Sequence, residues 1–207
     1  MIYPQKNWLL RGMVDGYINY AVKRNFHKVN FNEVELKADK SVLLIANHFS
    51  IWDGMLLYNT LNQFSGKNFH VMLLEDTAIK EPMLKYVGAF SIHKGNRDIL
   101  KALNYAAQLL ADPNNLVLIY PQGKLYSNFS DELTFEKGVL RIMERAAGKF
   151  QLIYATTFIE NFNHKKPTAN VYLLAETQNN FDSITALQTS YQQHYNASRQ
   201  QQTQLVF

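Results

Sequence analysis

The sequence predicts a single-domain α/β fold, layered, with a largely parallel central sheet flanked by helices. Three observations predict it. Continuous apolar runs of strand length alternate with segments of helical spacing through most of the chain, the pattern of strands buried on both faces. No linker and no internal repeat divides the 207 residues, a length that suits one large domain. With 47% hydrophobic residues the chain can also bury a sizeable core.

Taken in order, residues 8–26 place Trp8, Leu9, Met13, Ile18, Ala21, Val22 and Phe26 among polar neighbours, with Tyr17 and Tyr20 between them. This is an amphipathic helix, expected to soften near Gly12 and Gly16, that packs on the domain or, as a second reading, lies in a membrane interface. The run Val42-Leu43-Leu44-Ile45-Ala46 is a buried strand, and a helix follows over residues 51–62. Residues 69–74 form a second strand, 82–86 a short helix and 89–93 a third strand. Ile99, Leu100, Leu103, Ala106, Ala107 and Leu110 mark a helix over 97–110, which Asp112-Pro113-Asn114 stops. Residues 116–120 read as a central strand, 135–147 as a helix, 151–159 and 169–175 as strands, and 183–198 as a last helix. One domain thus spans 1–207: an N-terminal amphipathic helical segment over 1–36, an α/β core over 40–176, and a C-terminal helix and Gln/Asn-rich tail over 182–207, read as solvated.

The net charge of +4 is mild, and the cations read as scattered. Without a basic stripe or a module signature, no nucleic-acid partner is expected, whereas a modest attraction to anionic lipid or an acidic carrier is allowed. The absence of cysteine excludes disulfides and thiolate metal sites and fits a reducing compartment. The first twenty residues lack the basic, apolar and small-residue regions of a signal peptide, and no run approaches the roughly eighteen apolar residues of a spanning helix. A cytoplasmic protein is expected, in solution or peripheral on the inner face of the cell membrane.

The chemistry concentrates after the first strand, in Asn47-His48-Phe49-Ser50-Ile51-Trp52-Asp53. Ligands of open α/β sheets sit beyond the carboxyl ends of the strands, which places His48, Lys94 and Gln122 on one edge. A carboxylate one helical turn on from His48 can take its Nδ1 proton and leave Nε2 as a base. Ser50 stands where a helix cap belongs, so no protein nucleophile is offered, and the attacking group would be a hydroxyl of the substrate. Ser50-x-x-Asp53 is equally a capping box, and on spacing alone that reading stands first. Both can hold if Asp53 caps with one oxygen and holds His48 with the other. Read alone, Pro121-Gln122-Gly123 is a strand-ending turn, Lys94 a solvated charge and His93 a loop residue. His164 and His194, in polar surroundings, are given no role, and no metal site is expected.

The block from Asn47 to Asp53 resembles the NHxSxxD motif of the glycerolipid acyltransferase family, the lysophosphatidic acid acyltransferase group, whose core is His-x4-Asp. Three further blocks are similar in order: Gly88-Ala89-Phe90-Ser91-Ile92-His93-Lys94, Tyr120-Pro121-Gln122-Gly123-Lys124, and Phe135-Glu136-Lys137-Gly138. The resemblance covers roughly residues 40–165. It implies a glycerol-3-phosphate acyltransferase-like fold and transfer of an acyl group from acyl-CoA or acyl carrier protein, a donor substrate rather than a cofactor, to a lipid-like hydroxyl acceptor near a membrane. It makes His48 the general base and Asp53 its orienter. Asn47, Ser50, Lys94, Pro121, Gln122, Gly123 and Lys124 would contribute to substrate binding.

The chain departs from the family pattern at Gln122, Lys124 and Leu125, where members acylating a glycerol phosphate have Glu, Thr and Arg, and at Ser91, His93 and Lys94, where the family has Phe, Asp and Arg. The proline of a fourth block is missing from Leu152-Ile153-Tyr154-Ala155. These changes point to an acceptor that differs from lysophosphatidate or is less phosphorylated. An amine acceptor, or a non-catalytic lipid- or carrier-binding protein that keeps the fold, are the alternatives.

Overall fold

Every apolar run named above forms a strand in the computed structural model, which describes residues 1–93 and 98–206. In chain order these residues form α1 (Trp8–Asn25), β1 (Lys28–Phe31), β2 (Ser41–Ala46), α2 (Trp52–Asn62), β3 (Asn68–Leu74), α3 (Glu75–Lys80), a 3₁₀ turn (Pro82–Val87) and β4 (Ala89–Ile92). There follow α4 (Asp98–Leu109), β5 (Asn115–Ile119), α5 (Gly138–Ala146), β6 (Phe150–Glu160), β7 (Thr168–Ala175) and α6 (Ile184–Thr203). The expected position of Lys94, and of the start of the helix at Arg97, lie outside the described residues.

The seven strands form one sheet in the order β1-β7-β6-β2-β5-β3-β4. Five strands, from β6 to β4, run parallel; β7 is antiparallel to β6, and β1 is parallel to β7. Alternate residues of the central strand enter different cores: Val42, Leu44 and Ala46 pack on the α1 and α2 side, while Leu43 and Ile45 pack on the side of α4, α5 and α6. A strand buried on both faces needs apolar residues at every position, which is why β2 reads as an unbroken run.

The structure corrects several expectations. The segment 1–36 is not helical throughout, because β1 pairs with β7 there. Its Asn30 amide donates to Asn170. Short α3 also went unmarked, since Glu75-Asp76-Thr77 carries no apolar period. Continuous through Gly12 and Gly16, α1 is held by buried Val14, Ile18, Ala21 and Val22 and by Tyr58, whose hydroxyl donates to Asp15. Residues 135–137 precede α5 rather than belonging to it, because Phe135 N donates to Gln188 and Glu136 N to the Pro121 carbonyl. At the C-terminus, α6 runs on to Thr203 and buries Ser198 and Gln202. The Gln202 side chain accepts from Asn170 and Tyr172 and donates to Glu160, so this part of the Gln-rich tail fastens the helix to the sheet.

His194 lies buried among the rings of Tyr154 and Tyr191, not in polar surroundings, with Nε2 3.1 Å from the Tyr172 carbonyl. Burial pushes its imidazole down to about 4, although that carbonyl pulls the other way. The folded state therefore holds it neutral where the unfolded chain binds a proton, so its stabilising contribution is complete above the ordinary value of 6.5 and is lost as pH falls toward about 4. At Gly88 the backbone is left-handed, φ 95°, and a Cβ would stand 1.8 Å from the Phe69 carbonyl oxygen. Only glycine lets the 3₁₀ turn enter β4 beside β3.

Two outcomes are expected from urea unfolding. Gly88→Ala lowers stability by at least about 2 kcal/mol, from left-handed strain and backbone overlap. Between pH 6.5 and 4 the wild type loses up to about 3 kcal/mol through His194, and His194→Gln shows a correspondingly flatter stability profile over that window.

Candidate active site

The site is built where β2 ends. All six residues of β2 are buried, and the next, Asn47, is tied across to β6: its Nδ2 donates to the Thr157 carbonyl at 3.1 Å and its Oδ1 accepts from Thr157 N at 2.9 Å. This pair continues the sheet's hydrogen bonding through a side chain and sets the direction in which the chain leaves the strand. His48 follows. Its backbone N donates to Gln122 Oε1 at 2.6 Å, and its carbonyl accepts from Tyr126 N at 2.9 Å, so residues after β5 hold both sides of its peptide unit.

Nδ1 of His48 lies 2.8 Å from Asp53 Oδ2; the imidazole side chain is 29% exposed and the carboxylate 0%. The same Oδ2 accepts Phe49 N at 2.7 Å and Ser50 N at 3.0 Å, and Oδ1 accepts the Ser50 hydroxyl at 3.2 Å. Ser50 Oγ in turn accepts Trp52 N at 3.0 Å at the start of α2. Capping and imidazole-holding thus coexist, but not divided between the two oxygens: Oδ2 takes both tasks. An acceptor-only carboxylate beside Nδ1 selects the tautomer that carries the proton there and leaves Nε2 with its lone pair toward the partly open side.

The Tyr120 ring stacks on the His48 imidazole, with centroids 4.3 Å apart and planes 21° from parallel. Its hydroxyl is buried and unpartnered among the described residues. Burial, aided by the Asp53 charge, pushes this phenol well above its ordinary 10.0, so it stays neutral. Gln122 is buried too, and its Nε2 finds no partner among the described residues.

The structure therefore brings together Asn47, His48, Ser50, Asp53 and Gln122. Pro121 is buried and contributes a backbone acceptor to Glu136. Gly123 takes φ 63° in the turn after β5, where its N–H returns to the Tyr120 carbonyl. Lys124 is exposed, with its ammonium 5.2 Å from the centre of the Tyr126 ring. Two further residues join the site: Tyr120, which the sequence offers only as the first residue of the third block, and Thr157. Tyr120 had a faint signal, an aromatic residue closing a central strand; Thr157 had none, because its part is played by backbone atoms. Among the described residues no three His, Asp or Glu side chains gather as metal ligands.

A one-sided imidazole with a buried carboxylate behind it is an arrangement for moving a proton to or from a bound substrate. Comparison with known families supplies the reaction class: residues 24–159 match the family model described as Acyltransferase. The chain belongs to the acyltransferase family. This is the family of the glycerolipid and lysophosphatidate acyltransferases, enzymes that work on an acyl donor and an acceptor. The matched stretch runs from the end of α1 to the far end of β6 and so contains the whole turn from Asn47 to Asp53 and the residues from Tyr120 to Tyr126. A search of curated proteins finds no match.

Asn47→Ala leaves the Thr157 N–H and carbonyl without partners, and about 2–4 kcal/mol of stability is expected to be lost in chemical unfolding, together with activity.

Proposed function

We propose that this acyltransferase moves a fatty acyl group from a thioester donor to the hydroxyl of a lipid-like acceptor, with His48 as general base and Asp53 as its orienter. One observation carries the reading: the 2.8 Å contact between Nδ1 of a partly exposed His48 and a wholly buried Asp53. The acceptor oxygen attacks the thioester carbonyl carbon as its proton passes to Nε2. The C–O bond forms, the C–S bond breaks, and the proton on Nε2 goes to the departing thiolate. Asp53 stabilises the imidazolium between these steps, and Tyr120, stacked on one face of the ring, limits its rotation.

The donor is acyl-CoA or acyl carrier protein, and the acceptor a lysophospholipid or another lipid-like alcohol. Gln122 supplies a carbonyl oxygen to the His48 N–H, a task a neutral amide performs without a second carboxylate near Asp53. The case for a less phosphorylated acceptor therefore rests on exposed Leu125, where the family arginine would stand. Lipid access is supported by the exposed side chains of Ile51 in the His48 turn and of Leu125, next to the Tyr126 that bonds the His48 carbonyl, and by the stripe of Leu9, Met13, Tyr17 and Tyr20 on α1, with Trp8 84% exposed at its start. No helix among the described residues is long and apolar enough to cross a membrane.

Labelled palmitoyl-CoA and palmitoyl carrier protein, offered with a panel of hydroxyl and amine acceptors, should label a hydroxyl lipid. His48→Ala should lower kcat/KM at least about 10³-fold with an unchanged circular dichroism spectrum. Turnover by this variant within tenfold of wild type would overturn the assignment.

A further inference from the structure

A basic corner stands at the same edge of the sheet as His48. The level of the catalytic turn on β6 is marked by Thr157, which Asn47 grips; β6 continues to Glu160 and turns back through residues 161–167 into β7. Beside this hairpin, β1 begins at Lys28, in register with Thr168, and His27 N donates to the Pro167 carbonyl. The rings of His27 and His164 stack with centroids 3.6 Å apart. The segments 23–31 and 158–168 bring Lys23, Arg24, Lys28, Lys165 and Lys166 to this corner against one acid, Glu160. That surplus of four equals the +4 net charge of the whole chain, so the charge that reads as scattered along the sequence is gathered by the fold. All five cations are exposed, and none makes an ion pair with a carboxylate among the described residues.

We infer that this corner, formed by His27, Lys28 and the hairpin carrying His164, Lys165 and Lys166, is the docking surface for an acidic acyl carrier protein. The inference rests on the acyl-transfer reading above and deepens it by choosing the donor. No large hydrophobic side chain is exposed in either segment, so the corner itself offers nothing for insertion into a bilayer, although it adjoins the apolar stripe of α1 through Arg24, which donates to the Tyr20 hydroxyl. Lysines on two separate segments are point charges that steer a broad acidic surface; a small nucleotide is better held by arginine forks. By strand spacing and rise the corner lies on the order of 15–20 Å from His48, the reach of an extended phosphopantetheine arm. The corner is also rigid, because Glu160, Asn170 and Tyr172 all bond to Gln202 of α6.

The test is Lys165→Glu/Lys166→Glu in the full chain, compared with wild type using palmitoyl carrier protein and palmitoyl-CoA as donors to one detergent-dispersed acceptor. The expected result is a loss of tenfold or more in kcat/KM with the carrier protein, mostly in KM and steeper at low salt, and a change under twofold with palmitoyl-CoA. Equal losses with both donors, or no loss with the carrier protein, would overturn the proposal, and so would a loss seen only when the acceptor is embedded in anionic vesicles. Binding of fluorescent carrier protein to His48→Ala, with and without the two lysine substitutions, separates the two readings. Charge-dependent binding there supports the docking surface even if the proposed chemistry fails, and binding that ignores the substitutions refutes it.

Discussion

A carboxylate with no solvent exposure must find its hydrogen bonds within the protein, and the Asp53 carboxylate finds four. Leaving such a charge short of partners would cost several kcal/mol. Around it the chain between β2 and α2 is wound so that two backbone N–H groups, the Ser50 hydroxyl and the His48 ring all converge. The first turn of α2 adds the favourable end of its dipole. Satisfying this one buried charge fixes the turn, the orientation of the imidazole and the entry angle of the helix together.

The turn also depends on parts distant in sequence. Asn47 binds it to β6, and Gln122 and Tyr126 bind it to the segment that leaves β5. Both neighbours of β2 in the sheet thus reach across its carboxyl end, which is possible because β2, β5 and β6 are parallel and finish on the same edge. The reversal at β7 has a different effect. It returns the chain through a hairpin on that edge and places β1 beside it, so cations from two ends of the sequence meet there.

Much of this was legible from the residues. Strands buried on both faces announce themselves as unbroken apolar runs, and His48 and Asp53 lie close in sequence, so their meeting needed only a strand, a turn and a helix. What escaped was tertiary in origin. Lys28–Phe31 became a strand because β7 offers an edge and Asn170 a partner. His194 looked polar from its sequence neighbours, yet helical geometry turns it inward with Tyr191 and Tyr195. Glycines at 12 and 16 did not break α1 because packing on the core outweighs about 1 kcal/mol of propensity at each. The stacking of Tyr120 on His48 joins residues seventy-two positions apart, and nothing local reports it.

The double duty of Oδ2 makes the two members of the pair unequal in what change they tolerate. Beyond its ring, His48 contributes only backbone bonds, which survive any side chain that fits, so a protein that lacks the imidazole but keeps its fold is within reach of a single substitution. Asp53 has no such freedom. An amide there keeps one oxygen for the three donors at Oδ2 but removes the charge and turns its N–H group toward the Ser50 hydroxyl, and a shorter side chain would strand the amides of Phe49 and Ser50. At this position the geometry joins the folding of the turn to the seating of the imidazole, and a lineage under no pressure to keep that imidazole could discard the histidine long before it could discard the aspartate.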